Sequence, residues 1–259
     1  MIENRFSNLR ERTTMRDLNN MTVMITGASS GFGMVTAKML VEQGANVVLG
    51  ARRADRLEAL SQELGEENVA FKEMDITNKD QVHALAQLGI DKFNKIDALV
   101  NNAGIMPLSL LNAGRTDEWD EMIDTNVKGV LYGIDAVLQH MLDKGDGIIV
   151  NISSVAGLRV FEGSAVYSAT KFAVRAISEG LRAESAGKIQ VTCIYPGAFK
   201  TELGFSIKDT SILERLMKLG MAEIMQPAER VAETIIFALQ QEKGVALNEI
   251  VIRPTAQET

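Results

Sequence analysis

Short apolar runs alternate with longer amphipathic stretches along almost the whole 259-residue chain, and this alternation is what most restricts its fold. The short runs are rich in Val and Ile and mostly apolar throughout, as expected for strands covered on both faces. Strands that alternate with helices in this way form right-handed βαβ units around a parallel sheet. The sequence therefore predicts an α/β fold with one doubly wound parallel sheet of about seven strands and helices on both faces.

The individual strands and helices are predicted from the apolar periodicity. The predicted strands are Thr22–Thr26, Asn46–Gly50, Val69–Met74, Ala98–Asn101, Gly147–Ile152, Ile189–Tyr195 and Glu249–Arg253. The predicted helices are Gly33–Gln43, Ala54–Leu64, Lys79–Phe93, Thr116–Asp143, Ala165–Ala186 and Pro227–Gln240. No linker rich in Ser, Gly or Pro, no internal repeat and no change in composition interrupts this pattern. We therefore predict a single domain over residues 21–259.

Two stretches fit the alternation poorly. Residues 1–20 form a polar N-terminal arm, part of which, Asn8–Arg16, has the pattern of a short helix. Residues 199–226 form an apolar insert at a place where the loop from a strand to a helix is normally short. Such an insert is either packed structure or a lid over a ligand. We expect a lid over the substrate, because ligands of open α/β sheets bind at the carboxyl ends of the strands.

Charge and composition argue against several classes of partner. The formal net charge is −7, which disfavours nucleic acid or an anionic membrane as the main partner. No apolar run approaches the roughly 18 residues of a membrane span, and the first residues lack a secretory signal, so we expect a cytoplasmic protein. The single cysteine, Cys193, excludes a disulfide framework, and two histidines leave little for a metal site. We predict a small-molecule ligand and no metal.

The turn after the first strand has the composition of a phosphate-binding site. Gly27, Gly31 and Gly33 stand in a G-x-x-x-G-x-G pattern between the first strand and the first helix. Glycine allows a positive φ and a close approach of the backbone to a pyrophosphate, and the start of the following helix attracts the anion. The candidate contacts in this turn are Gly27, Ser29, Ser30, Gly31, Phe32 and Gly33. The sequence thus predicts a dinucleotide site.

The end of the second strand indicates which dinucleotide is bound. An acidic residue there would bond the ribose 2′-hydroxyl of NAD and repel the 2′-phosphate of NADP. This chain instead has Ala51 followed by Arg52 and Arg53, whose guanidinium groups suit a phosphate. The alternative is that both arginines only solvate the start of a helix, and Ser30 in the glycine turn adds no further positive charge. We predict NADP(H) as the cofactor.

Tyr167 and Lys171 are four residues apart on a predicted helix, so their side chains lie on one face. A tyrosine with an ordinary pKa of about 10 exchanges protons poorly at neutral pH, whereas a nearby ammonium group favours the phenolate. We therefore expect Lys171 to lower the pKa of Tyr167. Ser154, at the end of the fifth strand, is placed to hold a substrate carbonyl oxygen, and the strand pleat turns Ser153 the other way.

Motifs along almost the whole chain, about residues 20–253, resemble those of the short-chain dehydrogenase/reductase family. These motifs are Thr26–Gly33, Asn101-Asn102-Ala103-Gly104, Asn126, Ser154, Tyr167 with Lys171, and Pro196-Gly197. The resemblance implies a Rossmann-type sheet, with Tyr167 as general acid/base, Ser154 polarising the substrate carbonyl and Lys171 bonding the nicotinamide ribose. It also implies that Asn126 bends its helix and holds a water molecule that links Lys171 to solvent.

The same resemblance implies further contacts to the cofactor. Asn102, Ala103 and Gly104 would line the adenosine ribose, and Asp75 and Ile76 would line the adenine. The nicotinamide amide would be surrounded by Pro196, Gly197, Phe199 and Thr201. The run Gly50–Arg53 and the segment Asn248–Thr255 are similar to an NADP-preferring branch that contains serine 3-dehydrogenases, 3-hydroxy-acid dehydrogenases and clavulanic-aldehyde reductases. The family also implies a homo-oligomer, a tetramer or a dimer.

Together these features imply an NADP(H)-dependent oxidoreductase that moves a hydride between nicotinamide and a carbonyl/alcohol pair of a small-molecule substrate. One alternative is a 3-oxoacyl-[acyl-carrier-protein] reductase, whose acidic partner would need a basic rim that the overall charge of −7 does not supply. A non-enzyme alternative is an NADP-sensing regulator. A sensor has no need of the four residues Asn126, Ser154, Tyr167 and Lys171 together, so we favour the enzyme.

Overall fold

Seven parallel strands form one sheet in the computed structural model, which describes residues 15–257. The strands are β1 (Thr22–Thr26), β2 (Asn46–Ala51), β3 (Val69–Glu73), β4 (Ala98–Asn101), β5 (Gly147–Ile152), β6 (Ile189–Pro196) and β7 (Glu249–Ile252). Their order is β3-β2-β1-β4-β5-β6-β7, so the winding direction reverses between β1 and β4. This confirms the predicted α/β fold and its doubly wound parallel sheet, and it places the expected ligand crevice at the carboxyl ends of β1 and β4.

The helices cover both faces of this sheet. They are α1 (Gly31–Glu42), α2 (Ala54–Leu64), α3 (Lys79–Phe93), α4 (Thr116–Ile123), α5 (Gly129–Lys144), α6 (Ala165–Glu184), α7 (Thr210–Lys218), α8 (Met221–Ile224) and α9 (Glu229–Leu239). Side chains alternate along β1, so Val23 and Ile25 pack with α1, α2 and α9, whereas Met24 packs with α3, α5 and α6. Because both faces are buried in this way, the central strands carry apolar side chains on both faces.

The single long helix predicted over Thr116–Asp143 is divided in the structure. A wider helical turn over Asp124–Lys128 separates α4 from α5 and contains the buried Asn126. Turns of this kind occur frequently at functional sites. The other element boundaries differ from the predicted ones by one or two residues, which is the usual variation at frayed ends.

The described part of the N-terminal arm packs against the domain. Arg16 donates to Gln190 Oε1 at 2.7 Å and to Asp146 Oδ2 at 3.2 Å, and Leu18 is buried in the core. These contacts tie the segment to the starts of β5 and β6. Residues 8–14 of the predicted helix Asn8–Arg16 lie outside the described residues.

The insert over residues 199–226 is closed at its base. Phe199 and Gln226 form a parallel backbone bridge, and α7 and α8 lie between them. Ile207 and Ile212 of the insert are buried in one apolar cluster with Tyr167. The insert is therefore packed structure that shares an apolar cluster with Tyr167. Within residues 15–257, no helix combines the length and the apolar character needed to cross a membrane.

Candidate active site

The glycine turn after β1 is packed closely against the end of β4. Gly27 and Gly31 have φ values of 68° and 55°, which favour glycine. A Cβ atom at Gly27 would lie 2.8 Å from Ala103 Cα, and one at Gly33 would lie 2.6 Å from Asn102 Nδ2. The turn therefore needs glycine at these positions both for conformation and for space. A bare backbone turn at the start of α1 fits the phosphates of a dinucleotide.

Asn102 holds this turn in place through its side chain. Its Nδ2 donates to Thr26 O at 2.9 Å and to Gly27 O at 3.1 Å. The backbone N–H groups of Asn102 and Ala103 both donate to Thr26 Oγ1 at 3.1 Å. Thr26 and Asn102 thus join the carboxyl ends of β1 and β4, the two strands where the winding reverses. The family resemblance implies that Asn102 lines a ribose, but it does not reveal that Asn102 positions the glycine turn.

Arg53 supplies a positive charge to the glycine turn. It stands at the start of α2, and its Nε and Nη2 donate to Ser29 Oγ at 3.0 Å and to Ser30 Oγ at 2.7 Å. Position 30 itself carries no positive charge, but the guanidinium of Arg53 lies against the Ser30 hydroxyl and supplies one there. Arg52, the neighbouring arginine, is exposed.

The predicted adenine contacts lie after β3. Asp75 Oδ1 accepts hydrogen bonds from the Thr77 N–H at 2.9 Å and the Thr77 hydroxyl at 2.8 Å, so this carboxylate shapes its own turn. Ile76 is buried against the start of α5, where a Cβ atom at Gly129 would lie 2.6 Å from Ile76 Cγ1. Both residues lie at the carboxyl edge of the sheet, where the sequence placed them.

Ser154, Tyr167 and Lys171 come together beside the end of β5. The Ser154 and Tyr167 side chains are hydrogen-bonded, and Ser154 Oγ also accepts from the Ala156 N–H at 3.1 Å. Lys171 Nζ lies 5.8 Å from the centre of the Tyr167 ring and donates to Ile152 O at 2.9 Å. Four-residue spacing on α6 aligns Tyr167 and Lys171, and β5 brings Ser154 to them.

Burial determines how these groups ionise. Burial raises the pKa of Tyr167 to about 12, although the hydrogen bond with Ser154 opposes the shift. Burial lowers the pKa of Lys171 to about 8. The pKa of Tyr167 therefore moves opposite to the sequence-based expectation, because burial of the phenolate raises the pKa by more than the hydrogen bond with Ser154 lowers it. Tyr167 accordingly keeps its proton at neutral pH, as a proton donor requires.

Ser153 and Ser154 face different surroundings, as the pleat predicts. The buried Ser153 Oγ donates to Lys171 O at 2.9 Å, and therefore anchors the backbone of α6. The partly exposed Ser154 faces the tyrosine. These contacts distinguish a structural serine from a candidate catalytic one.

Asn126 connects three segments around the site. Its Oδ1 accepts from Ile105 N at 2.9 Å, and its Nδ2 donates to Ile105 O at 2.9 Å and to Thr170 Oγ1 at 3.1 Å. A Cβ atom at Gly104 would lie 3.2 Å from Asn126 Oδ1 and 3.6 Å from Lys171 Nζ. The Asn126 side chain therefore fixes the loop after β4 against α6, next to Lys171.

The predicted nicotinamide contacts follow β6 and reach the glycine turn. Phe199 packs edge-on against Phe32, with ring centres 6.3 Å apart, and a Cβ atom at Gly31 would lie 3.2 Å from Thr201 Cγ2. Pro196 ends β6, and the next N–H, of Gly197, donates to Ile252 O at 2.8 Å. In addition, Ala198 N donates to Gln257 Oε1 at 2.8 Å. The C-terminal segment thus supports this loop. The sequence analysis predicted the loop residues but missed these supporting contacts.

Sequence analysis also missed the contacts that hold the insert over the site. Ser206 Oγ accepts from Met106 N at 3.0 Å. Glu202 pairs with Arg53 and Arg56 on the other side of the insert. These partners are far apart along the chain, and no local spacing pattern predicts such pairs.

A glycine turn of the nucleotide-binding type and a buried tyrosine at the same sheet edge are typical of oxidoreductases with a Rossmann-type fold. Residues 21–211 match the family model for short chain dehydrogenases. The chain therefore belongs to the short-chain dehydrogenase family.

Known proteins resemble this chain over more than nine tenths of its length. An uncharacterised oxidoreductase of Staphylococcus saprophyticus is 46% identical over 246 residues, which are 94% of this chain and 99% of that protein. The closed form of a serine dehydrogenase complexed with NADP+ has a TM-score of 0.85 and 32% identity, over 92% of this chain and 97% of that one. A serine dehydrogenase from Escherichia coli has a TM-score of 0.80 and 31% identity, over 92% of this chain and 100% of that one.

Proposed function

We propose that the protein is an NADP(H)-dependent oxidoreductase that interconverts a carbonyl group and a primary or secondary alcohol. The observation that carries this proposal is the hydrogen bond between the partly exposed Ser154 and the buried Tyr167, with Lys171 beside the tyrosine ring. When bound, the nicotinamide supplies or accepts the hydride. The protein's own residues would then hold the substrate and move one proton.

In the direction of reduction, the Tyr167 hydroxyl would donate its proton to the carbonyl oxygen as that oxygen gains negative charge. The Ser154 hydroxyl would donate a hydrogen bond to the same oxygen and polarise the carbonyl. Lys171 would hold the nicotinamide ribose and, as a cation, favour the phenolate that remains. Asn126 would keep the loop after β4 in place beside these groups.

Several contacts support NADP(H) as the cofactor. Arg53 lies against the glycine turn, and Ala51 leaves no carboxylate at the end of β2 to repel a 2′-phosphate. The pyrophosphate would lie on the glycine turn. The rest of the cofactor would contact the residues after β3, β4 and β6, namely Asp75, Ile76, Asn102, Ala103, Gly104, Pro196, Gly197, Phe199 and Thr201.

Steady-state kinetics with NADPH and NADH test the cofactor proposal. Hydrogen bonds to charged groups contribute roughly 1.5–3 kcal/mol each, and the exposure of the arginines reduces this, so we expect about 10- to 100-fold higher kcat/KM with NADPH. Arg52→Ala and Arg53→Ala should each raise the KM for NADPH and leave that for NADH nearly unchanged. Arg230→Ala, a surface arginine paired with Glu233, is the matched control. Equal use of both cofactors by the wild type would contradict the proposal.

The substrate side of the site is apolar. Leu108, Ile207 and Ile212 are buried in one cluster with Tyr167. Purified protein should be assayed with NADPH against aldehydes, ketones, 3-oxo acids and 3-oxoacyl thioesters. Turnover of the thioesters alone would favour the acyl-carrier-protein reductase. Cofactor binding with no turnover of any class would favour the sensing regulator.

A further inference from the structure

One carboxylate joins the insert to the proposed cofactor site. Glu202 begins the short helical turn Glu202–Ser206, one residue after Thr201. Its Oε2 accepts from Arg53 Nη1 at 2.5 Å, and its Oε1 accepts from Arg56 Nη1 at 2.7 Å. Since Arg53 also donates to the glycine turn, a single guanidinium connects the turn, the start of α2 and the insert.

Glu202 is an anion under all ordinary conditions. The hydrogen bonds from Arg53 and Arg56 lower its pKa to about 2. Its side chain and that of Arg53 are 37% and 39% exposed, so the pair lies at the rim of the site and not in the core. A phosphate that reached this rim would meet a guanidinium that already bonds a carboxylate.

Two anions on one guanidinium repel each other and share its donors. Arg53 uses Nε and Nη2 on the glycine turn, which leaves Nη1 facing Glu202. A 2′-phosphate would bind most strongly through the same charge, because an arginine fork suits phosphate and carboxylate alike. Occupation of Arg53 by one anion therefore weakens its interaction with the other.

We propose that Glu202 determines specificity by competing with the cofactor's 2′-phosphate for Arg53, which lowers the affinity for NADP relative to NAD. This inference rests on the proposed function, in which Arg53 binds that phosphate. Glu202 would thus keep the preference for NADP below the value that the two arginines alone would produce.

Calorimetric titration with NADP+ and NAD+ tests the competition without any turnover. Glu202→Gln keeps the shape of the side chain and removes its charge. We expect this variant to bind NADP+ about fivefold more tightly than the wild type and to bind NAD+ equally well. The fivefold figure is the size of effect expected when one partly exposed charge interaction is removed. Glu214→Gln, which removes the same charge from α7 of the insert, should behave as the wild type. In an Arg53→Ala background the gain from Glu202→Gln should disappear.

The outcomes separate this inference from the proposed function. A wild type that prefers NAD+ would contradict the proposed cofactor, whatever the variant does. If the wild type prefers NADP+ but Glu202→Gln binds it equally or more weakly, the competition is refuted. Equal gains for NADP+ and NAD+, or a gain that persists without Arg53, would also refute it, because the effect would then be general or act through another residue.

Discussion

Replacing Tyr167 by phenylalanine tests the proposed proton transfer with little disturbance of the fold. The ring is 4% exposed and packs in a cluster with Leu108 and Ile212, and phenylalanine preserves this packing. The substitution removes one hydroxyl and its hydrogen bond with Ser154. A net hydrogen bond contributes about 0.5–1.5 kcal/mol, so the free energy of unfolding should fall by about that amount.

The effect on catalysis should be much larger. A positioned general acid typically accelerates a reaction by about 10²–10⁴-fold, so kcat should fall by this factor. This loss corresponds to about 2.7–5.5 kcal/mol on the activation barrier. NADP+ affinity should stay within about twofold, because removing one neutral hydroxyl at the substrate side changes no charge contact with the phosphates.

Tyr195→Phe is the matched control for the loss of a buried hydroxyl. Tyr195 is fully buried in β6, and its hydroxyl donates to Glu249 Oε1 at 2.6 Å. Glu249 also accepts from Arg175 Nε at 2.8 Å and therefore keeps a partner. We expect this variant to lose about 1.5–3 kcal/mol of stability and little activity, since the lost hydrogen bond is made to a charged group on β7.

Nicotinamide absorbance under saturating substrate would measure kcat, calorimetric titration would measure NADP+ binding, and urea unfolding would measure stability. Tyr167→Phe with more than about a tenth of wild-type kcat would refute the general-acid role. A parallel loss of activity in Tyr195→Phe would show that the site is sensitive to any buried hydroxyl. Loss of NADP+ binding together with activity would point to a structural role for Tyr167.

Three further predictions concern the two serines after β5, the ion pairs of Asp97 and the oligomeric state. Ser154→Ala should lower kcat at least tenfold. Ser153→Ala removes a buried hydrogen bond to the backbone of α6 and should mainly lower the urea midpoint of unfolding. A larger loss of kcat in Ser153→Ala than in Ser154→Ala would contradict the assignment of Ser154 as the catalytic serine. Burial raises the pKa of Asp97, but hydrogen bonds from Lys144 and Lys95 lower it further, so the net shift is downward. The stability that these two bonds contribute is therefore fully present above the unfolded pKa of about 3.9 and is lost as the pH falls through the lower pKa of the folded state. Asp97→Asn should therefore make the stability depend less steeply on pH in the acid range, as measured by circular dichroism during acid unfolding. An unchanged dependence of stability on pH would count against this interpretation. Light scattering should show a homo-oligomer, a tetramer or a dimer, and a monomer at micromolar concentration would disprove this.

Much of the fold could be predicted because it is encoded in local periodicity. Mostly apolar strands and amphipathic helices reveal a parallel sheet covered on both faces, and strand boundaries agree to within about one residue. The glycine turn and the pair Tyr167/Lys171 are also local signals, since a positive φ at Gly27 and a four-residue helical spacing depend on nearby residues alone. The helix break at Asn126 was implied by family resemblance and not by periodicity, which runs through it.

Tertiary structure alone decided the contacts between distant segments. Glu202 meets Arg53 across 149 positions of sequence, and Asn126 meets Thr170 across 44, because the sheet order brings their loops together. The direction of the pKa shift of Tyr167 was decided in the same way. Sequence spacing shows a lysine nearby, but the burial of Tyr167 depends on the distant segments that share its apolar cluster. The free energy of removing a charge from water is set by everything packed around it, and that packing exists only in the folded chain.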